Sequence, residues 1–88
     1  MTEPELRAHL AATGWTLQQG RYVREVPLKT PTGVYRRFCR IQFNKLSLKI
    51  ELQSSNGTGW FRIGGAPYAT IRKNPTDNSI LVGSFKVI

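Results

Sequence analysis

From the N-terminus the apolar positions first recur at helical spacing and then, after Gly14, at every second residue. Leu6 and Leu10 stand at i and i+4, with Ala11 and Thr13 extending the stripe, so one face of a helix is apolar. Ahead of them Thr2 and Glu5 have capping-box spacing, Pro4 occupies the first turn where a missing N–H is harmless, and Glu3 and Glu5 complement the positive end of the helix dipole. Gly14 supplies the stop. The pattern predicts a helix over residues 1–13, too short to persist alone in water and therefore committed to pack on a partner.

Residues 15–88 read as strands and turns. "WTLQQGRYVREV" predicts two short strands around Gln19-Gly20, and "PLKTPTG" predicts a loop because of its two prolines and one glycine. In "VYRRFCRIQF" and "LSLKIELQ" the residues alternate, and Asn44-Lys45 suits a two-residue hairpin loop. That loop would set Phe43 opposite Leu46, Ile41 opposite Leu48 and Cys39 opposite Ile50, an all-apolar face. The other face would pair Arg40 with Lys49, Phe38 with Glu51 and Arg36 with Gln53. "SSNGTG" predicts a loop, Gly64-Gly65 a bulge or bend in the next strand, "PTDN" a turn and "SILVGSFKVI" a last strand. The expected fold is α+β: a single domain over 1–88, with the short helix packed on an antiparallel sheet of five or six strands. A small β-barrel with the helix as a plug is the alternative.

At 88 residues such a domain buries roughly 60% of its unfolded surface, a real but thin core. No apolar run approaches the roughly eighteen residues of a membrane span, the start has no signal-peptide pattern, and one cysteine, Cys39, allows no internal disulfide. These features predict a cytoplasmic protein with no membrane partner. In that setting the sequon at Asn56-Gly57-Thr58 reads as a turn.

The charge narrows the picture further. Thirteen Lys and Arg against five Asp and Glu give +8, and residues 34–73 hold eight of the cations with one anion, Glu51. Catalysis lacks its parts: His9 is the only histidine, expected solvated on the helix, while alternation buries Cys39, and the few carboxylates are scattered. The expectation is no enzyme, no metal and no cofactor, since two Cys or His ligands fall short of a zinc site. "GTGWFRIG" misses the dinucleotide fingerprint: its third glycine comes five residues after the second, and a strand follows in place of a helix. The first 25 residues, "ELRAHLAATGW" leading into a strand, resemble the N-terminal part of HicA-type mRNA interferase toxins. That family's catalytic histidine follows a glycine in the next hairpin, whereas Gly20 here precedes Arg21 and Tyr22, so the activity is not carried over.

What remains is a basic face. Alternation places Arg36, Phe38, Arg40 and Lys49 on the hairpin side away from the core, with Trp60 and Arg62 from the next strand and with Tyr68 and Arg72 as extensions. Cations interleaved with aromatic rings suit nucleic acid, RNA or single-stranded DNA before duplex, because cations meet phosphates and rings stack on bases. Like charges opposite each other at Arg40 and Lys49 would weaken an isolated sheet, and an anionic partner would relieve them. The alternative is a protein-interaction module or small accessory subunit that docks an acidic protein on the same face. A final strand ending at Ile88 offers an edge for homodimer pairing.

Overall fold

The computed structural model describes residues 1–83 and 85–87. Helix α1 spans Glu3–Ala12, and its start is the capping box: the Thr2 hydroxyl accepts the Glu5 N–H at 3.3 Å and the Glu5 carboxylate accepts the Thr2 N–H at 3.0 Å. Gly14 follows at φ 95°, the left-handed geometry that ends helices. The helix buries Leu6, Leu10 and also His9. The expected solvated histidine is thus corrected: its position three residues after Leu6 puts it on the packed stripe.

Five antiparallel strands follow as a meander: β1 (Thr16–Gln18), β2 (Arg21–Thr30), β3 (Gly33–Phe43), β4 (Ser47–Gln53) and β5 (Trp60–Pro67). A second antiparallel sheet holds β6 (Arg72–Lys73), β7 (Ile80–Val82) and β8 (Phe85–Val87). The five-stranded sheet is open, with β1 and β5 at opposite edges; the architecture is the α+β one and not the barrel. Its inner face contributes Tyr22, Cys39, Ile41, Leu48 and Ile50 to one core with Leu6, Leu10 and Trp15 on one side and Ile71, Ile80, Val82 and Val87 on the other. Each fully buried Leu, Ile or Val stabilises the fold by about 1.5–3 kcal/mol, so this sheet needs both the helix and the second sheet as its cover.

Three sequence expectations change. Residues 27–30 are not loop but strand: β2 and β3 pair from Tyr22↔Ile41 out to Thr30↔Gly33, leaving Pro31-Thr32 as the turn. Pro27 lies beyond the end of β1, where β2 is a sheet edge, the setting in which strands tolerate proline. The β3–β4 register is shifted by two residues from the one expected: Ile41 faces Ile50, Arg40 faces Glu51 and Cys39 faces Leu52. The turn residues are Lys45-Leu46, closed by the Asn44 N–H on the Ser47 carbonyl at 2.8 Å, and Leu46 is 75% exposed instead of in the core. A shift of two keeps every side chain on its face, so alternation cannot separate the two registers; the observed one exchanges a like-charge pair for an ion pair. The last expected strand is two, β7 and β8, with Gly83 at φ 64° before the second. The Ile88 edge lies outside the described residues.

Near Gly64-Gly65 the expected bulge is present. Glu51 stands opposite Arg62 and Ile50 opposite Gly64, which leaves Ile63 as the extra residue.

Candidate nucleic-acid interface

The outer face of the five-stranded sheet, away from the core, is built by simple alternation from the registers above. β3 presents Arg36, Phe38 and Arg40, β4 presents Lys49 and Glu51, and β5, by virtue of its bulge, presents Trp60 and Arg62. β2 adds Arg21, Val23, Glu25 and Lys29. On this face six cations (Arg21, Lys29, Arg36, Arg40, Lys49, Arg62) meet two carboxylates (Glu25, Glu51), a net of +4.

At the centre Arg40 lies between a ring and a carboxylate. Its guanidinium carbon sits 4.2 Å from the centroid of the Trp60 indole, and its Nε donates to Glu51 Oε1 at 3.0 Å. Lys49 approaches the same oxygen at 4.0 Å. Glu51 therefore gathers two of the expected phosphate-binding cations, and the cross-strand repulsion expected between Arg40 and Lys49 is absent. Arg36 pairs more loosely with Glu25 at 3.5 Å, both well exposed. Arg62 has no carboxylate partner among the described residues and folds across Gly65, where a Cβ would come within 2.7 Å of its Nη2. A larger residue at 65 would push the guanidinium off the sheet.

Beside the Arg40–Trp60 stack lies a concavity of about 360 Å³. Phe38 and Trp60 supply its aromatic walls and Arg21 and Arg40 its charge. Val23 and the amides of Gln18, Gln19 and Gln53 complete it. Phe38 is 43% exposed and Trp60 half-buried. The concavity joins a ring open to solvent, a ring held by a cation, and amides that both donate and accept hydrogen bonds.

The structure thus brings together six of the seven residues picked from the sequence. Arg72 is the exception. It belongs to β6 in the second sheet, and its guanidinium donates to the carbonyls of Ala69 and Ile71. Tyr68 also leaves the expected face: its ring packs on Phe43, 5.8 Å between centroids, and its hydroxyl meets the Asn44 carbonyl. Sequence reading missed Arg21, Gln18, Gln19 and Gln53. The Gln19-Gly20 turn, with both residues at positive φ, was legible and sets Gln18 opposite Arg21. Which face they share with Phe38 follows only from the β2–β3 register.

Neither of the chain's nucleophile and base candidates reaches this face. Cys39 points into the core, and burial pushes its thiol up to about 11, so it is protonated at neutral pH. His9 is buried under the helix with its pKa lowered, first by burial and then by Lys73. Among the described residues no group of three His, Cys, Asp or Glu is placed to hold a metal ion, and no helix is long and apolar enough to cross a membrane. Comparison with known protein families, curated proteins and solved structures finds no match to the chain.

Proposed function

We propose that the protein is a non-catalytic nucleic-acid-binding domain that takes single-stranded RNA or DNA on the outer face of its five-stranded sheet, with an unpaired base in the Phe38–Trp60 concavity. The observation that carries this reading is that concavity: an exposed ring, a cation-stacked indole and three amides converge on a face with a surplus of four positive charges. Base stacking on such rings is worth about 1–3 kcal/mol each and tolerates any base. Phosphates on either side would be met by Arg21, Arg36 and Arg62, while Arg40 holds the Trp60 plane. A cytoplasmic setting goes with this reading.

The test is fluorescence anisotropy with single- and double-stranded RNA and DNA at about 50 and 200 mM salt. Binding should favour single strands and weaken with a log-log slope near −0.7 per phosphate contact. If nothing binds at about 50 mM salt, the reading fails and an acidic protein becomes the partner to seek on this face.

A further inference from the structure

The five-stranded sheet leaves a length of strand edge open in its middle. β3 pairs with β2 from Ile41 out to Gly33, but with β4 only as far as Cys39, because the chain leaves β4 at Gln53 and turns into β5 with the Ser54 N–H on the Gly59 carbonyl at 2.8 Å. Residues 33–38 therefore have a strand on one side only, over roughly 20 Å. Alternation fixes which backbone groups lie on the open side. In an antiparallel ladder successive residues direct their N–H and C=O to opposite neighbours, and the Asn44 N–H on the Ser47 carbonyl sets the phase. Gln42 and Arg40 thus turn theirs toward β4, and Phe38, Arg36 and Val34 turn theirs to the place where β4 would continue. A separate contact agrees: the Arg36 carbonyl accepts the Arg37 Nη1 at 2.9 Å, a side chain standing where a neighbouring strand would donate.

Proteins blunt open edges with proline, bulges, a cover or charge. β2 carries Pro27 on its own open edge, whereas residues 34–38, Val-Tyr-Arg-Arg-Phe, pair with β2 without a break in register and leave Val34, Tyr35 and Phe38 63%, 42% and 43% exposed. Only charge guards this edge, as Arg36 and Arg37, and that charge also selects what can pair with it. Two copies joined antiparallel through the edge would set arginines against arginines one strand spacing apart, which destabilises the pairing. An acidic strand meets no such penalty. Among the described residues Arg37 makes no ion pair, and Arg36 reaches only Glu25 on β2, at 3.5 Å with both side chains well exposed.

We propose that residues 34–38 of β3 bind an extended acidic peptide as an added strand, with two consecutive carboxylates opposite Arg36 and Arg37 and apolar residues opposite Tyr35 and Phe38. The added strand supplies the main-chain donor that Arg37 now provides to the Arg36 carbonyl and frees that guanidinium for a carboxylate. Main-chain bonds hold the peptide and the alternate side chains read it. The site does not depend on the outer-face reading, since the peptide is held by an edge and by Arg37, which points away from that face.

The experiment is an NMR titration of the whole protein with the capped peptide Thr-Val-Glu-Glu-Val-Thr and, in parallel, Thr-Val-Lys-Lys-Val-Thr. The acidic peptide should shift the amides of residues 34–38 saturably, slow hydrogen exchange at Val34 and Arg36, and bind about tenfold tighter than the basic one, the difference expected when two cross-strand pairs change from like to opposite charge. The double variant Arg36→Glu/Arg37→Glu should invert the preference, an outcome that misfolding would not produce. N-methylation of one alternate set of peptide amides should abolish binding and of the other set should not, since only one set faces β3. Binding of both methylated peptides would overturn strand addition, and equal affinity for the acidic and basic peptides would overturn the charge selection. The proposal also fails if no saturable binding occurs, if the shifts centre elsewhere, if sedimentation shows the free protein already dimeric with these amides protected, or if a single-stranded oligonucleotide and not the peptide protects them.

Discussion

Glu51→Gln should lower stability and raise nucleic-acid affinity at once. The Glu51 and Arg40 side chains are only 12% and 22% exposed, and the carboxylate takes the Arg40 Nε at 3.0 Å with Lys49 at 4.0 Å. That lies between an exposed pair, worth about 0.2–1 kcal/mol, and a fully buried one, where loss of a partner costs about 3–5 kcal/mol. The glutamine keeps the shape and one acceptor, so a loss of about 1–2 kcal/mol is expected. In a domain of this size that is a fall of roughly 4–15 °C in Tm. For a bound strand the same change deletes the anion at the centre of the face. At about 8 Å and an effective dielectric near 40 this is worth about 1 kcal/mol, some fivefold in Kd, with a steeper salt slope because Arg40 and Lys49 are released to phosphates. Circular dichroism melts and anisotropy titrations read the two effects separately. A variant with lowered Tm and unchanged or weaker binding would refute the placement of nucleic acid on this face, and an unchanged Tm would refute the Arg40–Glu51 pairing as a stabilising contact.

The remaining expectations concern the core, the ring and the buried histidine. Ile50, fully buried, should not tolerate lysine: Ile50→Lys buries an unpaired charge and should leave no cooperative melt, whereas the neighbouring Lys49→Ala should stay within about 0.5 kcal/mol of the wild type, and equal losses would sink the face assignment. Phe38→Ala should cost about 1–3 kcal/mol of single-strand affinity with the salt slope unchanged; a flattened slope would mean the ring acts through its cationic neighbours. His9 has its folded pKa below the ordinary value near 6.5, so the unfolded chain takes up the proton first and stability should fall as pH drops below about 6.5. His9→Gln should flatten that loss in urea melts between about pH 7 and 5, leaving the lower-pH loss from Asp77, whose carboxyl is held down by the Lys86 ammonium and Ser79. A pH profile identical to the wild type over that window would show that His9 titrates normally.

Much of this was legible in the residues. The capping box and Leu6/Leu10 define the helix almost to the residue, and alternation alone sorts Cys39, Ile41, Leu48 and Ile50 from Phe38, Arg40 and Lys49. Register is where pattern reading ran out, because two registers that differ by two residues preserve the same faces. The tie-breaker was nonetheless present in the sequence: only one of them sets Arg40 against Glu51. Propensity misled at "PLKTPTG", where a proline at a sheet edge and a two-residue turn serve a continuous hairpin. The second sheet was hidden for another reason. Strands of two or three residues carry too few alternations to display a period, and β7 and β8 hold Ile80, Val82 and Val87 over the inner face.

The bulge at Ile63 shows how closely the two faces depend on one another. Counting back from Gly64, which faces Ile50, uninterrupted alternation would set Ile63 opposite Glu51 on the outer face and turn Arg62 and Trp60 inward. The inserted residue reverses this. Arg62 takes the register position opposite Glu51, Trp60 comes outward within reach of Arg40, and Ile63 packs against the core. One extra residue thus builds the aromatic wall of the outer concavity and an apolar contact of the core together. It sits beside two glycines: Gly64 admits the Phe85 ring on one face and Gly65 admits the Arg62 guanidinium on the other. A Cβ at position 65 would come within 2.7 Å of the Arg62 guanidinium and push it aside, whereas one at position 64 would meet the Phe85 side chain at an ordinary contact distance of 3.7 Å. The glycine pair, which in sequence reads only as a break in a strand, is the place where the two faces of β5 are sorted.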